Sequence, residues 1–82
     1  MTTVKVSGGK VGGKPIVRAW ESFGGWYWLA VEEVEPGYFF GFVIGICPEW
    51  GYFSEKEIMS LAPWTWEIKP CDIPFIDKEV RA

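Results

Sequence analysis

Between Tyr38 and Cys47 the chain reads Tyr-Phe-Phe-Gly-Phe-Val-Ile-Gly-Ile-Cys, with no charge and no side-chain amide. A bilayer-spanning helix needs about 20 apolar residues, so the run is too short to cross a membrane. Its wealth of aromatic and β-branched residues predicts a strand. It does not alternate between apolar and polar, so both faces of that strand must be covered. The rest of a small chain has to provide the cover.

The strand's partner lies just upstream. Trp26-Tyr27-Trp28-Leu29-Ala30-Val31-Glu32 predicts a second strand, with Trp26, Trp28 and Ala30 on one side and Tyr27, Leu29 and Val31 on the other. Glu32-Glu33-Val34-Glu35 then brings charge, and Pro36-Gly37 has the residues of a type II turn. In the returning strand Tyr38, Phe40, Phe42, Ile44 and Ile46 share one face. Phe39, Gly41, Val43, Gly45 and Cys47 share the other. Gly41 and Gly45 leave slots on that second face, which a bulky group such as a neighbouring Trp is expected to fill.

Residues 1–14 are glycine-rich with interspersed lysines and predict a flexible segment or hairpin. Val4 and Val6 alternate with Lys5, as in an edge strand. The echo of Lys5–Lys10 in Lys10–Lys14 is too short to be a structural repeat. Gly8 to Lys14 matches the first part of a phosphate-binding loop. Pro15 stands where that motif needs a hydroxyl for magnesium, and Ile16-Val17 continues as a strand rather than a helix, so the motif is rejected. Ile16–Trp20 predicts a strand, and Ser22-Phe23-Gly24-Gly25 a turn.

Beyond the central strand, Ser54 and Glu57 have the spacing of a capping box, and Phe53 and Ile58 that of a hydrophobic staple. They open a short helix over about residues 55–61, which Pro63 stops. Such a helix cannot stand alone and must lie on the sheet. Trp64, Trp66 and Ile68 alternate with Thr65, Glu67 and Lys69, predicting a half-exposed edge strand. Residues 71–82 read as a tail that packs through Ile73, Phe75 and Ile76.

The expected architecture is α+β: a single small domain over residues 1–82, mainly an antiparallel sheet of four to five strands with the one short helix packed on it. A domain of this size buries only about 60–65% of its unfolded surface. The six Trp, six Phe and three Tyr make a dense aromatic core the natural source of stability.

Function classes narrow by what the residues offer. The net charge is −3, against the basic face that a nucleic-acid binder needs to displace phosphate counterions. A local basic group remains in Lys5, Lys10, Lys14 and Arg18. The chain holds no His, the commonest general base and zinc ligand. Cys47 therefore lacks a base to activate it as a nucleophile, and two Cys alone make a poor metal site. The Glu32, Glu33 and Glu35 cluster beside a turn reads as solvated carboxylates. No catalytic, cofactor-binding or metal-ligating residue is assigned, and the chain is not expected to be an enzyme. Two Cys and no signal-like N-terminal segment point to a cytoplasmic protein with reduced thiols.

One resemblance is carried by Pro15-Ile16-Val17, Gly25-Trp26-Tyr27-Trp28 with Glu32, Phe39–Gly45, and Glu49-Trp50-Gly51-Tyr52-Phe53-Ser54 leading into Glu57-Ile58. In the order and spacing of these pieces, over roughly residues 14–61, the chain resembles the domain-of-unknown-function family 2958. These are small proteins often carried by plasmids, phages and other mobile elements. The resemblance implies a strand–strand–helix core and brings no activity or site residue with it. Both ends differ from the family's pattern.

A sheet apolar on both sides, with one short helix over it, leaves a face without a lid. This implies a homodimer or another protein partner, with Trp20, Trp26, Trp28, Trp50, Trp64 and Trp66 as the candidate interaction surface. Nucleic-acid binding through the N-terminal basic residues and exposed aromatics is the alternative, disfavoured by charge.

Overall fold

A computed structural model of the chain describes residues 3–73 and 78–81. Two antiparallel sheets pack face to face. The first has the order β3-β2-β1-β9 and the second β7-β6-β5-β4-β8. The fold is thus mostly β, and α+β describes it poorly: helix α1 is Glu55–Met59, five residues long.

The smaller sheet comes from the two segments that the sequence marked as flexible or as a tail. Strands β1 (Thr3–Ser7), β2 (Lys10–Val11) and β3 (Lys14–Pro15) are joined by two Gly-Gly turns. Gly8, Gly9, Gly12 and Gly13 all have positive φ, as a two-residue hairpin turn matching the strand twist requires. The short sequence echo is therefore two successive hairpins. Strand β9 (Lys78–Arg81), inside the expected tail, pairs antiparallel with β1, matching Val4 with Val80. Ile73 packs inward as expected, while Phe75 and Ile76 lie outside the described residues.

The predicted strand over 16–20 is split by the passage between sheets. Ile16 is buried at the crossing, the Val17 amide donates to the Ala30 carbonyl at 2.8 Å, and β4 begins at Arg18 and runs to Ser22. The central pair is β5 (Tyr27–Glu35) and β6 (Tyr38–Ile44), closed by Pro36-Gly37 with Gly37 at φ 76°. Strand β7 (Glu49–Ser54) flanks β6, and β8 (Thr65–Ile68) is the outer neighbour of β4.

The strand expected over Tyr38–Cys47 ends at Ile44, and Ile46 and Cys47 are exposed rather than covered; along β6 itself both faces are packed by the chain's own residues. Phe42 and Ile44 meet Leu29, Ala19, Val6, Val11, Val80 and Ile73 in the core between the sheets. Phe39 and Val43, on the opposite face, join Trp20, Ala30, Phe53 and Ile58 beneath α1. The lid expected from a second molecule is thus supplied by the chain's own N-terminal hairpins and β9.

The two slots fill in different ways. At Gly45 an added Cβ would come within 2.5 Å of the Trp26 ring, the aromatic filler expected from the sequence. At Gly41 it would instead collide with the Leu29 carbonyl oxygen and Ala30 backbone. Register shifts in the β5–β6 ladder after Ala30 mark bulges that bring the two backbones together there.

Candidate interaction surface

The open part of the molecule follows from the size of the lid. Five residues of helix are about 7.5 Å long. Five strands at about 4.8 Å spacing are about 19 Å wide. Helix α1 covers Trp20, Phe39 and Phe53, and the exposed Phe23, Trp26 and Trp64 lie past the strand ends, at the turn between β4 and β5 and just before β8.

The helix is anchored locally. Ser54 caps it by accepting from the Glu57 amide at 3.0 Å, and the Ser54 hydroxyl donates to the Glu57 carboxylate at 2.9 Å. The sequence pattern implied that the carboxylate would reach the cap's backbone amide; it takes the hydroxyl instead. Past the helix, the Thr65 hydroxyl donates to the Ile58 carbonyl at 2.6 Å. This turns Thr65 inward, 3% exposed, and leaves Trp64 at 63%. The inside and outside expected for this strand are thereby exchanged at its start.

Arg18 fixes the helix from the sheet. Its guanidinium donates to both oxygens of Glu67, at 2.9 and 2.7 Å, and to both of Glu55, at 3.1 and 2.6 Å. It also lies 4.9 Å from the ring centroid of Trp20 and 5.4 Å from that of Phe39. The hydrogen bonds to Glu67, then those to Glu55, hold its pKa above the usual value, and Arg18 in turn holds the Glu67 carboxyl below its usual value. Two carboxylates thus occupy the donors that the nucleic-acid reading assigned to phosphate. Of the basic group, Lys5 and Lys10 are exposed on the smaller sheet, and Lys14 lies 5.9 Å from the Trp50 ring.

The six Trp residues of the candidate surface do not form one patch. Trp20 is fully buried and belongs to the core, a correction to its surface assignment. Strand β4 is flanked by β5 and β8, and its helix-facing side chains lie under α1. Trp50 is half-buried against Phe42 at 5.1 Å and reaches Gly12 of the smaller sheet, where it ties the two sheets together. The Trp66 indole donates to Glu21 at 3.2 Å, and the Tyr27 hydroxyl donates to the same carboxylate at 2.5 Å. Partial burial, and then that hydrogen bond, push the Tyr27 phenol up to about 12.

Trp26, Trp28 and Trp64 do come together. With Phe23, Leu61 and Thr65 they line an open cleft of about 420 Å³ whose walls are almost entirely carbon. Phe23 packs edge-on against Trp64 at 5.9 Å, and Trp26 lies 6.0 Å from Trp28. Phe23 is 77% exposed. Sequence reasoning saw its turn and passed over the side chain, although an aromatic flanked by Ser22 and Gly24-Gly25 is forced outward at a hairpin tip. A second cleft of about 230 Å³ runs beside α1 and shares Trp28 and Leu61 with the first. Glu57 stands in its lining.

The acidic cluster serves a turn: a Glu33 carboxylate oxygen accepts from the Gly37 amide at 2.9 Å. Among the described residues, no three His, Cys, Asp or Glu side chains gather as a metal site. Cys47 and Cys71 are both exposed and unbridged. No helix among the described residues is long and apolar enough to cross a membrane. Comparison with family models, with curated proteins and with solved structures yields no match.

Proposed function

We propose that this chain is a non-enzymatic interaction module that docks a protein through the cleft between Phe23, Trp64, Trp26 and Trp28. The observation that carries the reading is the exposure of Phe23, Trp26 and Trp64 in one contiguous concave patch whose walls are almost entirely carbon. Aromatic side chains in such patches supply most of the energy at protein interfaces, because each removes a large apolar area from water at low entropic cost. Membership of family 2958, and with it a mobile-element or host-defence setting, is part of the same proposal and rests on the residue pattern of positions 14–61. So does a cytoplasmic location, where Cys47 and Cys71 would stay reduced.

The test is affinity capture from the native cell with quantitative mass spectrometry, run in parallel on the wild type and on folded Phe23→Ser and Trp64→Ser variants. The expected result is a protein enriched by the wild type and lost with both variants. An enrichment profile that the two substitutions leave unchanged sinks the proposal. Sedimentation of the purified wild type and variants shows in addition whether a second copy occupies the cleft.

A further inference from the structure

The edges of the two sheets are not alike. An edge strand carries a row of unpaired N–H and C=O groups, because in an antiparallel ladder every second residue turns both outward. Among the described residues the edges are β3, β9, β8 and β7, and the first three are blunted. Strand β3 is two residues long and ends in Pro15. Strand β9 has four residues, three of them charged. Strand β8 also has four, and Lys69-Pro70 follow it directly. Strand β7 is longer and less guarded. It pairs with β6 at six successive positions without a register shift, and after Glu49 it reads Trp-Gly-Tyr-Phe-Ser, with neither charge nor proline. Among the described residues its outer side takes no backbone hydrogen bond.

The space beside β7 is open on both faces. On the helix side a Cβ at Gly51 would meet no atom within 4 Å. On the other side Tyr52 is 62% exposed, its ring held by Tyr38, stacked at 5.8 Å, and by Phe40 at 5.0 Å. The alternating donors and acceptors of such an edge are matched by another extended main chain, which takes its affinity from those backbone bonds. Charge narrows the choice further. Apart from Arg18, whose donors are taken by Glu55 and Glu67, the five-stranded layer over residues 18–72 contains only Lys56 and Lys69 as cations. Glu49 is exposed on the edge strand itself and shares a face with Gly51. A strand laid along β7 would set its side chains about 5 Å from those of Glu49 and Tyr52. A carboxylate on one face and an exposed phenol ring on the other both favour a cation. The aromatic row already holds one, since the Lys14 ammonium lies 5.9 Å from the ring of Trp50, which shares a face with Tyr52. A second copy would bring a second acidic layer to the joint, so the same charges disfavour the pairing of β7 with itself.

We infer that β7 is a docking edge that takes an extended segment of a partner protein, bearing Lys or Arg, as a sixth strand of the sheet. The aromatic cleft lies toward the opposite edge, at Trp64 and β8, so the inference does not depend on it.

The experiment uses the full chain and a fluorescein-labelled peptide of about eight residues alternating Val and Lys, long enough to pair along β7. One control carries Glu in place of Lys. The other carries an N-methyl group at every residue, which keeps the charge and removes the donors. Binding is read by fluorescence anisotropy, and its place by amide hydrogen exchange of the wild-type chain with and without unlabelled peptide. The expected outcome is saturable binding that slows exchange at alternate amides of β7 and leaves β8 unchanged. The Glu and N-methyl peptides should each bind about tenfold more weakly or worse. Tyr52→Lys, at a ring already in water, should weaken binding about tenfold, Glu49→Gln about two- to fivefold, and Trp64→Ser less than about twofold. The absence of saturable binding, equal binding of either control peptide, or binding that leaves the β7 amides unprotected overturns the inference. So does protection of β7 that grows with protein concentration in the absence of peptide, which would give the edge to a second copy. Loss of peptide binding with Trp64→Ser would place the peptide in the cleft and overturn it as well.

Discussion

The two faces of the five-stranded sheet have nearly the same inventory of large apolar side chains, and each leaves aromatics exposed outside its cover: Tyr38, Tyr52 and Trp66 on the side of the smaller sheet, and Phe23, Trp26 and Trp64 on the side of the helix. Leu29, Phe42 and Ala19 face the smaller sheet and are sealed by it. Trp20, Phe39 and Ala30 face the helix and are sealed, with Trp28 half-buried against them and Trp26 and Trp64 exposed beyond. The cause lies in the area of each lid. The smaller sheet has four strands, two of them of two residues, and the helix has five residues, so neither covers its whole face. Exposure of aromatics here reflects the shape of the cover, not the polarity of the residues.

Core truncation between the two sheets should produce the largest effect. Phe42→Ala removes a fully buried ring between the sheets and is expected to cost about 3–5 kcal/mol in denaturant unfolding. A cost under about 1 kcal/mol would mean that the smaller sheet is not packed there. Gly41→Ala comes next. Its Cβ meets the Leu29 carbonyl, which cannot swing away like a side chain, so a loss of about 2–3 kcal/mol is expected. Gly45→Ala, which meets only the Trp26 ring, should cost less and should perturb the cleft more.

The two faces should also differ in their sensitivity to pH. On the helix side the folded pKa of Glu67 is depressed by Arg18. Its contribution is therefore present above the ordinary carboxylate range and lost as pH falls through the folded value. On the other face Tyr27 is raised to about 12 in the folded state. Its contribution is present below the ordinary phenol pKa of about 10 and fades as pH rises through about 12. Both sites are partly solvent-exposed, so each should amount to about 1 kcal/mol or less. Glu67→Gln should flatten the acid limb of the stability profile and Tyr27→Phe the alkaline limb. The reverse pairing would show that the groups are misassigned.

Ser54→Ala should cost about 1 kcal/mol by uncapping α1 and should loosen the helix side only, as amide exchange at Ile58 and Met59 would show. Trp64→Ser should be the smallest, within about 0.5 kcal/mol, because the ring is mostly in water already. A large loss of stability there would make the open cleft a structural element and break the contrast between covered and exposed aromatics.

Local signals in the chain were strong for the central hairpin. The Pro36-Gly37 turn and the Ser54–Glu57 cap each depend on residues close in sequence and appear where those residues imply, while the charge-free run is strand only from Tyr38 to Ile44 and leaves Ile46 and Cys47 exposed. The Gly45 slot was also legible, because a missing side chain between bulky neighbours demands a filler. The N-terminal sheet was not. Val4, Val6 and Val11 look like fragments among glycines and lysines, and they become core only when Val80 arrives on β9 from the other end of the chain. Arg18 gave no sign of its role either, since Glu55 and Glu67 lie 37 and 49 residues away.

The amino-acid order by itself therefore determined the central strands, their turns and the need to bury both sides of most of Tyr38–Cys47, because those follow from backbone sterics and from the cost of wetting apolar surface. Tertiary structure decided which tryptophans are core and which are surface. That choice depends on how far each lid extends over a common sheet, and the extent of a lid is a property of elements brought together from distant parts of the chain.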